Sequence, residues 1–327
     1  MKNKVLELLR RKQGFVSGQE MSAELGVSRA AVWKAVEALR KEGYAIDSAP
    51  NRGYHLAAAT GELSKREILA ALGDCPWKDT LEVFETIDST NNRCKVLGSD
   101  GAPAGTVLVA DCQTGGRGRL GRSFLSPPHQ GVYLSVLLRP QVLPMELMHL
   151  TCAVAEAMCD AVEAAAGFRP GIKWTNDLVS GKKKLAGILT ELSLEAESGQ
   201  VQYAVVGIGI NCAQREEDFA PEIRDMAGSL SMISGKPADR NLLAAEMIKA
   251  LWAMDENLVS GRQGIMEGYR RDCITLGQQV SVSKAGEVRY GKALDVDGWG
   301  GLVVDFDGRL ETVQAGEVSV RGMYGYV

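Results

Sequence analysis

Gly115-Gly116-Arg117-Gly118-Arg119-Leu120-Gly121-Arg122 sets three guanidinium groups among four glycines, between two apolar stretches that read as strands, Thr106 to Asp111 and Val132 to Leu138. Arginine carries a permanent charge and a fork of donors matched to carboxylates and phosphates. Glycine lets backbone N–H groups approach an anion closely and lets the segment rearrange as that anion arrives. The run reads as a loop that closes over phosphate or carboxylate. A solvated flexible loop and an RGG-like nucleic-acid tether are the alternatives.

Working outward, further strands are read over Leu81 to Ile87, Gly171 to Trp174, Leu185 to Leu194 and Tyr203 to Ile210. Long helices interrupt them. One covers Glu146 to Ala166, with Leu147, Leu150, Val154, Met158 and Val162 on a single stripe, and another runs from about Arg240 to Val259. Ser64 can cap a shorter one through Ile68, Leu69 and Leu72. A mixed sheet backed by helices, α+β or α/β, follows for residues 64–268. From Thr275 onward Val280, Val282, Val288, Leu294, Val296, Leu302, Val304 and Phe306 alternate with polar residues between glycine-containing turns, which predicts a small SH3-like β-barrel over 273–327.

The N-terminal 60 residues read differently. Ser17 can cap a helix over Gly18 to Leu25, Gly26 breaks it, and Ser28 can cap a second helix to about Lys41. Met21, Leu25, Val27, Val32, Val36 and Leu39 supply apolar contacts, and small Ser22 permits close crossing, so the segment carries a helix-turn-helix signature. Gly43 to Ser48 and Tyr54 to Leu56 then form a hairpin around Ala49-Pro50-Asn51-Arg52-Gly53, a wing carrying Arg52. Ser28, Arg29, Ala30, Lys34 and Arg40 fall on the outer side of the second helix, able to reach base edges or phosphates, while Trp33 suits the core or a phosphate contact. A winged helix used only to pair proteins is the alternative. Residues 57–62 read as a linker.

Charge supports the division. Residues 1–56 carry 10 Lys+Arg against 6 Asp+Glu, net +4, and the remainder 27 against 35, net −8, the asymmetry of a DNA-binding head on an acidic body. No apolar run is long enough to span a membrane, and the N-terminus has charges inside its apolar stretch, which excludes a secretory h-region and predicts a cytoplasmic protein. Seven dispersed cysteines without a Cys-x-x-Cys pair predict reduced, mostly buried thiols rather than a disulfide framework or a zinc site.

The residues suited to chemistry form an ordered series: Asp88-Ser89-Thr90-Asn91, Gln113 with the Gly/Arg loop, Lys173-Trp174-Thr175-Asn176-Asp177, Gly181-Lys182-Lys183-Lys184-Leu185-Ala186-Gly187-Ile188-Leu189, and Gly207-Ile208-Gly209-Ile210-Asn211. This order and spacing resembles the biotin protein ligase family. With the helix-turn-helix and a terminal stretch ending Gly316-Glu317-Val318-Ser319-Val320-Arg321, the chain resembles the bifunctional members that also repress biotin genes. The resemblance implies a class II aminoacyl-tRNA-synthetase-like catalytic fold. It also implies a two-step reaction, in which the biotin carboxylate attacks the α-phosphate of ATP and a carrier-protein lysine then takes biotin from the adenylate.

Joining a carboxylate to a triphosphate requires cations to offset repulsion between anions, and each such contact is worth roughly 2–4 kcal/mol in the transition state. The resemblance gives that part to Lys184, Arg117 and Arg119. It places biotin against Ser89, Thr90, Asn91, Gln113, Arg117, Gly118, Arg119, Lys184 and Gly187. ATP and the adenylate fall against Gly116, Arg119, Arg122, Trp174, Asn176, Lys184 and Asn211. Asp177 is the candidate ligand for Mg²⁺, although a buried Trp with an Asn/Asp turn is equally a structural device. Asp88 to Asn91 equally suit a helix cap with an Asx turn, and Lys182 and Lys183 suit a solvated turn. Thr175 stands where the family has proline. The implied partners are a biotin carboxyl carrier protein, operator DNA, and a second copy of the chain in a homodimer formed on adenylate binding. A non-enzymatic biotin-sensing repressor and a lipoate-type ligase are the competing readings.

Overall fold

The computed structural model describes residues 1–12, 14–41, 44, 46–50, 52–56, 62–284, 287–314 and 319–322. Of the sequence expectations, linker residues 57–61, hairpin residues Gly43, Ala45 and Asn51, and terminal residues Gly316, Glu317 and Val318 lie outside these. The chain forms two compact units, Met1–Glu62 and Leu63–Val327.

The first unit holds α1 (Lys2–Arg11), α2 (Gly18–Leu25), α3 (Arg29–Lys41) and a hairpin of β1 (Ile46–Ala49) with β2 (Gly53–Leu56). Ser17 Oγ accepts from the Glu20 amide at 3.1 Å, Gly26 ends α2 at φ +66°, and Ser28 Oγ accepts from the Ala31 amide at 3.2 Å. These are local signals, and they place both helices as the sequence predicts. α1 was not anticipated. Its Val5, Leu6, Leu8 and Leu9 are buried against Met21, Val32, Val36 and Leu39, while Lys4 before them and Glu7 between them face outward. Gly53, at φ +100°, meets the Val16 backbone so closely that a Cβ would lie 2.1 Å from its carbonyl oxygen. Arg40 corrects an expectation: it donates to the Ile46 carbonyl through Nε at 3.0 Å and Nη2 at 2.7 Å, and pairs with Glu37, so it binds the wing to α3 rather than facing a ligand.

The second unit contains α4 (Lys65–Leu72), β3 (Leu81–Ile87), α5 (Thr90–Ser99), β4 (Thr106–Gln113), β5 (Gly131–Leu138), α6 (Leu150–Ala166), β6 (Gly171–Lys173), β7 (Asp177–Ser180), β8 (Lys183–Leu194), β9 (Val201–Asn211), α7 (Leu230–Ser234), α8 (Arg240–Asn257) and α9 (Arg262–Asp272). One seven-stranded sheet has the order β3-β4-β5-β9-β8-β7-β6, with β3 and β4 parallel and every other neighbour antiparallel. Both faces are covered. Val107 and Val109 join the core under α6 and α8, whereas Leu108 joins Cys94 of α5 with Leu137 and Val205, and this is why β4 reads as an unbroken apolar run. α6 begins four residues later than expected, because Pro144–Leu147 forms a separate 3-10 turn. The short β7 and all of α9 were not foreseen.

The remaining strands, β10 (Gln279–Lys284), β11 (Glu287–Val296), β12 (Leu302–Phe306), β13 (Arg309–Val313) and β14 (Ser319–Gly322), form an antiparallel sheet in the order β13-β12-β11-β10-β14. Its Val280, Val282, Val296, Leu302, Val304 and Phe306 join the core of the second unit. Val288 and Leu294 do not: both are exposed, and a bulge between Ala293 and Asp295 turns Ala293 inward where alternation predicts Leu294. All seven cysteines are free thiols, and six are buried. No helix among the described residues is long and apolar enough to cross a membrane.

Candidate adenylation site and nucleic-acid face

The carboxyl end of β4, the first turn of α5, the Gly/Arg loop, the β6–β7 turn and the middle of β8 and β9 enclose a cavity of about 570 Å3. Ser89, Thr90, Asn91, Gln113, Arg117, Gly118, Arg119, Arg122, Trp174, Asn176, Asp177, Lys184 and Gly187 all line it. Two expected members do not. Asn211 is buried at the end of β9, its Nδ2 donating to the Gly228 carbonyl at 3.0 Å and its Oδ1 accepting from Gln214 at 3.1 Å, so both ends of its amide serve the scaffold. Gly116 belongs to the loop's base, where a Cβ would fall 2.3 Å from the Phe124 carbonyl oxygen.

The loop folds back on itself. The Gly118 amide donates to the Arg122 carbonyl at 2.7 Å and the Phe124 amide to the Gly116 carbonyl at 2.9 Å, with Leu120 and Gly121 at the tip in left-handed conformations, φ 55° and 72°. Leu120 is 73% exposed. Its cations divide by location: Arg117 and Arg122 are exposed at the rim, whereas Arg119 turns inward and donates from Nη1 to Asn176 Oδ1 at 2.8 Å. Burial lowers the Arg119 pKa, and the Asp177 carboxylate counters that shift. Lys184 Nζ donates to Asp177 Oδ1 at 2.6 Å, and Asn176 Nδ2 donates to the same oxygen at 3.2 Å. Asn176 and Asp177 thus hold Arg119 and Lys184 side by side. The Trp174 peptide leading to Thr175 is cis, and the Trp174 indole N–H donates to the Gly300 carbonyl at 3.0 Å. Of the neighbouring lysines, Lys183 is tied to the Arg224 carbonyl at 2.7 Å and is not simply solvated.

The opposite end is neutral and hydroxyl-rich. Ser89 caps α5, its Oγ accepting from the Asn92 amide at 3.4 Å, so the cap and cavity roles of this segment coexist. Thr90 donates to Gln113 Oε1 from its backbone N–H at 2.9 Å and from its hydroxyl at 3.0 Å. Ser135, fully buried on β5, shares its hydroxyl proton between Thr90 Oγ1 at 2.7 Å and Asn91 Oδ1 at 2.6 Å. Gln113 Nε2 donates to Ser126 Oγ at 3.0 Å. The strand glycines make room for these groups: a Cβ at Gly207 would overlap Asn91, and one at Gly209 would lie 2.4 Å from the Phe124 ring. Phe124, Ser126 and Ser135 were missed in the sequence. Ser135 left a signal, the one small polar side chain in the apolar run Val132 to Leu138, while the others meet the site only through tertiary folding.

Neither histidine of this unit enters the cavity. His129 Nδ1 lies 3.0 Å from the Asp111 carboxylate, and His149 is buried with Nε2 2.7 Å from the Leu258 carbonyl oxygen. In the first unit, Ser28, Arg29, Ala30 and Lys34 are exposed along the start of α3, and Trp33 is 53% exposed, which removes it from the core. The Arg52 guanidinium stacks 4.5 Å over the Phe15 ring.

With this geometry in place, residues 83–211 match the biotin/lipoate A/B protein ligase family, 2–55 a helix-turn-helix domain, and 275–321 the biotin protein ligase C-terminal domain. The bifunctional ligase/repressor BirA of Bacillus spizizenii is 35% identical over 94% of both chains, and that of Bacillus subtilis 34% over the same shares. The chain belongs to the BirA family of bifunctional ligase/repressors. The family's architecture extends to solved structures: the Aquifex aeolicus biotin protein ligase in complex with biotin and ATP superposes with a TM-score of 0.64 at 31% identity, covering 74% of this chain and 98% of that one.

Proposed function

We propose that the protein activates biotin with ATP to biotinyl-5′-AMP, transfers biotin to a lysine of a biotin carboxyl carrier protein, and represses biotin genes with the adenylate as corepressor. The observation that carries this reading is the convergence of Lys184 and Arg119 on one wall of a cavity whose other end is uncharged. Biotin suits both ends, with a neutral ureido ring for the hydroxyls and amides and a carboxylate for the cations.

In the first step the biotin carboxylate oxygen attacks the α-phosphorus and pyrophosphate leaves. Lys184 and Arg119 exchange Asp177 and Asn176 for the ligand's oxygens and offset the repulsion between carboxylate and phosphate. Arg117 and Arg122 at the rim close with the loop, whose glycines make that movement cheap and exclude water from a hydrolysable anhydride. In the second step the carrier lysine attacks the anhydride carbonyl and AMP leaves with the bonding electrons.

Among the described residues Asp177 is the sole carboxylate lining the cavity, and it already accepts from Lys184 and Asn176. No group of three or more His, Cys, Asp or Glu among the described residues can hold a metal ion. Mg²⁺ brought in with ATP would offset the charge of the pyrophosphate leaving group, and beside Asp177 the described lining offers it no further carboxylate.

Three divisions of the chain take the three tasks: 1–60 operator DNA, 64–268 adenylation, and 273–327 a C-terminal module that supports the cavity through the Trp174–Gly300 bond. Two heads on one adenylate-bound homodimer match a two-fold operator. Incubating the purified chain with labelled biotin, MgATP and a biotin-carrier domain tests the reading. It predicts biotin-dependent pyrophosphate release and label on the carrier. Pyrophosphate released with lipoate but not biotin, or binding without release, overturns it.

A further inference from the structure

Two amides line the neutral end of the cavity, and they are oriented by different means. Gln113 is fixed by the backbone: the Thr90 N–H can only donate, so Oε1 must face it. Asn91 has no such backbone anchor in its hydrogen-bonding. Its Nδ2 donates to Glu191 Oε2 at 2.9 Å, and its Oδ1 accepts from Ser135, whose hydroxyl can act as donor or acceptor. Glu191 Oε1 in turn accepts from Lys95 Nζ at 2.8 Å. Burial works to raise the Glu191 pKa, but Lys95 and Asn91 more than offset it, and the carboxyl sits below its ordinary range, ionised and acceptor-only.

Resting on the biotin reading above, we propose that Glu191 is a positioning residue for the ring end of the substrate. Its carboxylate fixes which end of the Asn91 amide faces the ligand. Lys95 makes the arrangement sensitive to a single atom. A glutamine at 191 must offer its oxygen to Lys95, which can only donate, and so turns its NH2 toward Asn91. Asn91 then flips, giving Oδ1 to residue 191 and Nδ2 to the Ser135 oxygen, while the Ser135 proton passes wholly to Thr90. Every hydrogen bond is kept, and the donor–acceptor pattern beside the ligand is inverted. A site built for one polarity discriminates sharply against its inverse, because buried polar groups are left unpaired.

The test uses the full chain with Glu191→Gln, Lys95→Met and the double variant Glu191→Gln/Lys95→Met. Side-chain amide signals of Asn91 in ¹⁵N–¹H spectra read the flip without ligand, and calorimetry reads biotin and ATP separately. Glu191→Gln is expected to move the Asn91 NH2 signals and weaken biotin binding by about tenfold or more, leaving ATP unchanged. Lys95→Met keeps the acceptor-only carboxylate and is expected to hold biotin within about threefold. The double variant frees the glutamine to turn either way and is expected to lie between them; it serves if the single variant does not fold. Unmoved Asn91 signals, a flip without loss of biotin affinity, or equal losses in Glu191→Gln and Lys95→Met overturn the proposal. A wild-type chain that binds no biotin overturns the biotin reading instead, and the spectra still report on Glu191.

Discussion

The two units use the same residue types in opposite ways. On α3 and the wing, Arg29, Lys34 and Arg52 stand exposed on a surface, where positive charge acts at range and is screened by salt. In the adenylation cavity, Arg119 and Lys184 are drawn inward and already paired with Asn176 and Asp177. An exposed cation recruits a polyanion before contact. A paired cation gives up a protein partner for a ligand oxygen, so it arrives pre-aimed and discriminates by geometry. In the proposed function the two sets meet different anions, a long phosphate backbone for one and a single carboxylate beside a single phosphate for the other, and the difference in placement suits that division.

The sharpest way to break this contrast is Lys184→Ala, expected to slow biotin-dependent pyrophosphate release by about 10²–10³-fold with the fold intact by circular dichroism. Near-normal release removes Lys184 from the chemistry. Replacing Arg29 and Lys34 together with alanine is expected to weaken operator binding tens-fold and to reduce the slope of log affinity against log salt by about 2. Adenylate formation stays unchanged in that variant, and an unaltered slope takes both residues off the DNA. Asp177→Asn separates positioning from metal binding. It is expected to slow adenylation about tenfold, because Lys184 keeps its charge but loses its aim. The Mg²⁺ concentration for half-maximal rate stays where it was, and a raised requirement assigns Asp177 to the metal.

Asp255 shows the cost of a partly buried charge without compensation: half-buried on α8, with the Glu256 carboxylate next to it, its carboxyl is pushed up to about 6. An acid whose folded pKa lies above its unfolded value weakens the fold above the folded pKa, and that penalty fades as pH falls toward the ordinary Asp range. Asp255→Asn is therefore expected to raise stability at pH 8 by up to about 2 kcal/mol, a figure reduced for partial exposure, and to give nothing near pH 4. Equal melting temperatures for the two proteins at pH 8 contradict this.

Legibility in the sequence followed the range of the interaction. The helix-turn-helix was readable because Ser17, Gly26 and Ser28 cap and break helices within four residues of their partners. The central strands were readable from apolar runs, and the cavity's cationic residues from motifs. What escaped was set by packing across the chain. α1 carries charges between its apolar residues, and only the core of its unit declares which face is buried. Arg40 reads as an outward charge until β1 folds back to accept from it. Leu294 follows the alternation of its strand, but a bulge shifts the register beneath it. Glu191 gives no local sign of its bond to Asn91, one hundred residues earlier. Gly207 and Gly209 give their space to Asn91 and Phe124, neighbours that only the folded chain brings against them.

The most direct test is a crystal structure with biotinyl-5′-AMP bound. The hand-off predicts Lys184 Nζ and the Arg119 guanidinium within about 3.2 Å of the ligand's carbonyl and phosphate oxygens, with the bonds to Asp177 and Asn176 released or shared. Both cations still turned away, paired only with Asp177 and Asn176 while the adenylate fills the cavity, contradicts it.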